Sequence, residues 1–318
     1  MPEIIANKKG LMKKRASLLF ILAAFLLLLL FSPQVMGGVR HALQLCYKTI
    51  FPSLFPFILL SDLLFASFLG QTAILSRLDG VCRKIFAVPA IGMLAFLAGA
   101  LCGFPLGVKV CADLFRAGRL RVEEAERLLA FCNNTGPAFV ITGVGIGLLN
   151  DVKIGVLLYA LQIVSGLAVG ILLARLLPTR QCEAARPCAV PPASQPGIVP
   201  AVQRSMRAMI FVCGMIVTFS IPLSLMGVFV KNDALLAFIS SFLEMGNASA
   251  AAAALYTTAP CAALLALTNA LCFGGLSVHL QAALFLTDLP ISLRHHTAGK
   301  LLQSALACAC ILLLRQFL

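Results

Sequence analysis

Apolar runs long enough to cross a bilayer recur between residues 17 and 314, and some are broken from within by glycine and proline. Residues 98–143 show this best. One apolar run stops at Gly103-Phe104-Pro105-Leu106-Gly107, a charged amphipathic segment follows, and Cys132-Asn133-Asn134-Thr135-Gly136-Pro137 opens a second run. In hydrocarbon every backbone N–H and C=O needs a partner inside the protein. Such breaks are therefore tolerated at membrane depth only where protein or a wet cavity surrounds them. The rest of the chain is read as a frame around this element.

Composition sets the class. The chain is 60% hydrophobic and 12% charged, with a mean hydropathy of +0.99, whereas a soluble domain carries about a quarter charged residues. The expected fold is an all-α polytopic membrane protein of about 6–8 transmembrane helices. Two of these would be re-entrant or broken helices in an inverted repeat. The net charge of +13 comes from Lys and Arg crowded between apolar runs, the pattern of positive-inside topology in a multi-pass cell-membrane protein. No basic-aromatic motif accompanies it, so nucleic acid is not an expected partner; the lipid bilayer is. The twelve cysteines are scattered with no Cys-x-x-Cys pair and read as small hydrophobes, giving neither a metal site nor a disulfide framework. No Ser-His-Asp order, phosphate loop or metal-ligand spacing is present, so neither an enzyme nor a cofactor is expected.

Along the chain, residues 1–16 form a basic, cytoplasmic N-terminus and 17–37 a first transmembrane helix. Residues 38–177 make one membrane half, 178–206 a Pro-rich cytoplasmic linker, and 207–318 the second half. Pro52 and Pro56 suit a helix start, where a missing amide proton costs little. The basic residues Lys109, Arg116, Arg119, Arg121 and Arg127 would land outside if residues 88–110 crossed the membrane. A re-entrant hairpin resolves that conflict. In the second half, residues 209–230 read as a span interrupted at Pro222. Arg294, His295, His296 and Lys300 read as an interfacial patch ahead of the last helix. An offset of 170 residues lays Ala100-Leu101-Cys102 on Ala270-Leu271-Cys272 and one glycine-containing break on the other. Paired interrupted helices of this kind point to a transporter-like site near the midplane.

The candidate residues follow from those breaks. Half-helix ends present unpaired amides and carbonyls to a ligand. Gly103, Gly107, Gly274 and Gly275 permit close backbone approach, and Pro105 fixes the bend. Asn133, Asn134, Thr135 and Gly136 read either as an ordinary helix cap or as amides that bond a polar solute. Asn247, Asn269, Ser277 and Gln281 lie near the second break. Glu244, at the end of an apolar run, is a candidate partner for a solute, a coupling ion or a proton.

At these residues the chain resembles a known family. Phe51-Pro52-Ser53-Leu54-Phe55-Pro56-Phe57, Gly103-Phe104-Pro105-Leu106-Gly107, Glu123-Glu124-Ala125-Glu126-Arg127-Leu128-Leu129, Asn133-Asn134-Thr135-Gly136-Pro137 and Phe273-Gly274-Gly275-Leu276-Ser277-Val278 are similar to motifs of the sporulation integral membrane proteins of the YlbJ type. Those proteins sit within the nucleoside-recognition Gate domain family. The resemblance runs from about Gln44 to Leu314. It implies a multi-helix membrane protein of a spore-forming bacterium, linked to spore cortex formation and related to Gate regions of nucleoside transporters. One departure is Gly103-Phe104-Pro105, where the family more often shows Ser-Gly-Tyr-Pro.

The reading favoured is a transporter or permease for a small polar solute, with Na+ or H+ as a coupling ion and a homo-oligomer left open. The alternative is a non-transporting membrane scaffold for spore-envelope assembly. It predicts that polar residues at the breaks can be exchanged freely.

Overall fold

The structure is a computed structural model that describes residues 15, 18–19, 21–68, 73–176, 197–314 and 316. The basic N-terminal residues 1–14 and most of the Pro-rich linker lie outside them. Among the described residues every regular element is helical and there is no strand, as the apolar runs require. Four helices are long and apolar enough to cross a membrane, or up to six if two bent pairs each count as one span.

The helix α1 (Ile21–Leu30) meets α2 (Ser32–Leu45) at 91°, so the run expected as one span over 17–37 turns at Phe31. Pro33 takes the second position of α2, where its missing N–H is no loss. No new helix starts at Pro52. The chain is already helical, and it widens into a π-turn over Cys46–Ile50, in which Phe51 N–H bonds Cys46 O, before entering α3 (Phe51–Phe68). The widened turn absorbs the bond that Pro52 cannot make.

An amphipathic helix, α4 (Ala73–Phe86), then turns through Ala90–Gly92 into α5 (Met93–Cys102) at 78°. Its Asp79 accepts from Arg83 Nε at 2.6 Å and from Ala90 N–H at 2.8 Å, which pins that turn. At Gly103 the chain reverses into α6 (Leu106–Arg116), so a hairpin stands where a re-entrant one was expected. Gly103 sits at φ +92°, a conformation that residues with a Cβ avoid. The hairpin arms cross at Gly99 and Gly107, and a Cβ on Gly99 would lie 3.2 Å from the Gly107 Cα. Next come α7 (Val122–Leu129), an unwound stretch through Pro137, and a π-helix over Ala138–Leu148. The π-helix packs on α8 (Val152–Leu176) through Gly145 and Gly155.

The second half opens with α9 (Ile198–Phe229), which runs unbroken through Pro222, contrary to the expected interruption. Two short helices, α10 (Asp233–Leu243) and α11 (Met245–Ala254), pack against each other as a second hairpin with its tip at Glu244. They are followed by α12 (Pro260–Phe273), α13 (Gly275–Leu286) and α14 (Arg294–Leu314). The α12–α13 pair is interrupted at Gly274 without reversing. It forms one mostly buried stretch of 27 residues.

The repeat therefore has a different register from the one the leucine-rich sequence suggests. An offset of 170 lays a hairpin on a helix that does not reverse. An offset of 141 lays Gly103 on Glu244, tip on tip, and Asn133 on Gly274, break on break. It also lays the crossing residues Gly99 and Gly107 on the small residues Ser240 and Ala248. The two halves pack through α2 and α3 on α9, and their shared core includes Ala42, Ile50, Leu106, Met209 and Ile216. Outward faces of α8, α9 and α14 expose Val164, Ile171, Ile210 and Leu313, as lipid-facing surfaces do.

One face carries an ion-paired belt. Arg116 reaches Asp288 at 2.7 Å and Asp113 at 3.2 Å, and Ser292 N–H donates to Glu126 at 2.8 Å. The loops before α7 and before α14 thus share a face. Asp288 is held below the ordinary carboxylate range by its bond from Arg116.

Candidate functional site

The four interruptions converge. A Cβ on Gly103 would lie 2.8 Å from Gly136 N, so the first hairpin tip rests on the first unwound stretch. A Cβ on Gly275 would lie 2.9 Å from the Leu243 carbonyl, so the second tip rests on the second break. The tips also reach across: the Phe104 ring lies against Gly274, and Thr135 Oγ1 donates to Met245 Sδ at 3.5 Å and to Leu271 O at 2.8 Å. A cavity of about 50 Å³ lies beside these residues, lined by Leu101, Gly103, Phe104, Thr135, Gly136 and Met245 among others.

Buried backbone carbonyls of an unwound segment need partners, and here side chains supply them. Phe131 O accepts from Asn134 Nδ2 at 2.9 Å, Asn133 O from Lys300 Nζ at 2.6 Å, and Thr135 O from Gln162 Nε2 at 2.8 Å. Cys132 O is wedged between the hairpin arms, about 2 Å from where a Cβ on Gly99 or Gly107 would stand. That contact explains why both crossing residues are glycine. Asn133 and Asn134 are fully buried and do not cap the helix that follows, so the capping alternative is set aside.

The largest polar contribution comes from α14, which begins at Arg294 and not after Lys300. The earlier start turns the expected interfacial patch into the first turns of a buried helix face. His296, Lys300, Gln303 and Ser304 are 0–5% exposed at helical spacing. Arg294 is exposed, and His295 points aside, 3.3 Å from Glu126. Gln303 bonds Asn134 Oδ1 at 2.9 Å, Gln162 O at 2.8 Å and Lys300 at 2.6 Å. Ser304 donates to Asn269 Oδ1 at 2.5 Å, and Asn269 in turn to Ser241 at 2.6 Å.

A buried pair of histidines completes the cluster. Asn133 Nδ2 lies 3.3 Å from His296 Nε2, the His296 and His279 rings meet edge to face at 4.8 Å, and Phe273 packs on His279 at 4.4 Å. His279 Nδ1 faces Gly275 O at 2.9 Å. A carbonyl only accepts, so Nδ1 carries the proton and Nε2 is left as an acceptor. With the Asn133 amide donating, His296 Nδ1–H is left as a donor. Asn133 Oδ1, His279 Nε2, His296 Nδ1 and Ser277 Oγ are all buried and have no partner among the described residues.

Not every expected residue joins this cluster. Glu244 is buried, but its carboxylate caps α11, accepting from Gly246 N and Asn247 N at 2.7 Å each. Asn247 instead lines a cleft of about 370 Å³ between α2, α9, α10 and α11, with His41, Ser220, Ser224 and Ser240. Gln281 is buried on α13, one turn past Ser277. Gln162, His279, His296, Lys300 and Gln303 were not singled out as site residues. The signal for three of them was a polar stripe (i, i+4, i+7) down an otherwise apolar helix. No group of acidic, histidine or cysteine side chains with metal-site geometry occurs among the described residues.

No protein-family model matches the chain, and no solved structure does. Among curated proteins, the Sporulation integral membrane protein YlbJ of Bacillus subtilis (strain 168) is 33% identical over 136 residues. The match covers 42% of this chain and 32% of that protein, about a third of its length and less of this chain than the motifs suggested. Together with the apolar helices it marks a multi-pass integral membrane protein, similar over that stretch to a sporulation integral membrane protein of the YlbJ type.

Proposed function

We propose that the chain is a permease for a small polar solute and acts in sporulation. The solute would sit where the first unwound stretch meets the Gly274 break. The observation that carries this reading is the set of buried, unpartnered polar atoms on Asn133, His279 and His296. Native interiors rarely leave such atoms unpaired, and each orphan costs about 1–3 kcal/mol. A ligand or water that pairs them offsets that cost. Two acceptors beside one donor suit a neutral solute with both kinds of group on one edge, such as an amide, a polyol or a nucleobase. The two hairpins that grip the site supply the elements that would open toward each face in turn. The link to sporulation is supported by the name of the B. subtilis relative.

The test is a thermal-shift and radioligand screen of neutral polar solutes on the purified protein, nucleosides and polyols first. Asn133→Ala, His279→Ala and His296→Ala should each weaken binding by about tenfold or more and lower spore yield. If all three variants keep spore yield and folded protein bound by a solute at wild-type affinity, the site is wrong. If no solute shifts or binds and the variants leave spore yield unchanged, the scaffold reading takes over.

A further inference from the structure

Lys300 is the strangest residue in the chain. It is fully buried, and among the described residues no carboxylate lies within ion-pairing distance of it, since every salt bridge has other partners. An unpaired charge in such a place is costly, so the surroundings of Nζ must supply the compensation. They do so with neutral oxygens: Asn133 O at 2.6 Å, Gln303 Oε1 at 2.6 Å and Asn134 Oδ1 at 3.5 Å, with the Phe104 ring centroid 5.3 Å away.

The orientation of each amide is fixed independently of the lysine. Gln303 Nε2 is committed to Gln162 O, and Asn134 Nδ2 to Phe131 O, both backbone carbonyls that only accept. Gln303 Oε1 and Asn134 Oδ1 must therefore face Nζ. Three acceptors and a π-face match the three donors of an ammonium. They leave no N–H for an anionic solute, so Lys300 is not a solute anchor. A ring of neutral oxygens, one a carbonyl of an unwound helix, is how membrane proteins hold a dehydrated monovalent cation.

We propose that Lys300 is a tethered counter-cation: its ammonium fills an oxygen cage that would otherwise bind Na+ or K+. The protein therefore needs no alkali cation at this break. The cage outlasts the side chain that fills it, because Gln162 and Phe131 hold its oxygens, and because Gly299 brings α14 against the Ala130 backbone. The meaning for coupling rests on the permease reading; the cage itself does not.

The test uses the full chain, purified in detergent, with thermal unfolding followed in choline, sodium and potassium chloride at equal ionic strength. Wild type should melt within about 1 °C in all three. Lys300→Ala should melt lower in choline and regain about 5 °C, saturably, with Na+ or K+. Lys300→Met, which refills the volume without charge, should melt lower and regain nothing. Saturable stabilisation of wild type by either ion would overturn the proposal, as would an alanine variant indifferent to the salt. If Lys300→Ala is unfolded in choline, folded yield in each salt replaces the melting curve: recovery only with Na+ or K+ supports the cage, and no recovery in any salt rejects it. These outcomes need no solute, so a failed permease reading leaves them readable.

Discussion

The two hairpins solve the same problem by opposite means. Each reverses inside the bundle, each rests its tip on the break of its own half, and each sends one side chain, Phe104 or Met245, across to the other half. The first has no polar side chain at its tip. It gets close by having no side chain at all where Gly99 and Gly107 clasp the Cys132 carbonyl. The second has Ser240 and Ala248 at the equivalent positions and satisfies the free amides at its tip with a carboxylate, Glu244. The breaks differ in the same sense. The first is several residues long and takes bonds from Lys300 and Gln162, while the second is a left-handed turn at Gly274. The polar site lies between the halves: the first lends its unwound stretch and Gln162, the second the buried polar face of α14.

That contrast can be broken. The largest effect belongs to Gly107→Val, whose branches would enter the space of Cys132 O; loss of more than about 3 kcal/mol is expected, read as loss of monodisperse protein. The residue that Gly99, the other clasp glycine, is laid on should differ: Ser240→Ala should stay folded within about 1 kcal/mol. Equal damage at both would mean that the hairpins are packed alike. Next in size is Glu244→Ala, which removes a buried cap and should cost about 2 kcal/mol, lowering the melting temperature with solute affinity kept. Lost solute binding at an unchanged melting temperature would instead move Glu244 into the site. The smallest effect is Asp288→Asn, below about 1 kcal/mol because the group is half exposed. Its sign is set by the depressed carboxyl. The bond to Arg116 contributes fully above the unfolded value near pH ~4 and fades as the pH falls through the lower folded value. The gap between wild type and variant should therefore close in acid.

Much of this was legible in the residues. The hairpin at Gly103 followed from the conflict between a full span and the basic segment after it. Asn133–Gly136 followed from an amide pair placed before Gly-Pro in an apolar context. His296 and Lys300 were misjudged because Arg294, just before them, suggested an interface. Only the start of α14 about two turns earlier shows that the stripe faces inward. Residue spacing cannot reveal which faces meet, and so it missed that Gln303 and Asn134 share a lysine. The repeat was legible in kind but not in register, because leucine and alanine match almost anywhere.

The ion-paired belt and the seat of α2 and α3 on α9 have a consequence for how the protein is encoded. Halves joined this way are held by contacts of their own, outside residues 177–196. A gene cut there, with both fragments expressed together, should still yield one co-purifying membrane unit. Two-gene versions of this architecture are therefore within evolutionary reach, and so is fusion of other domains at that point.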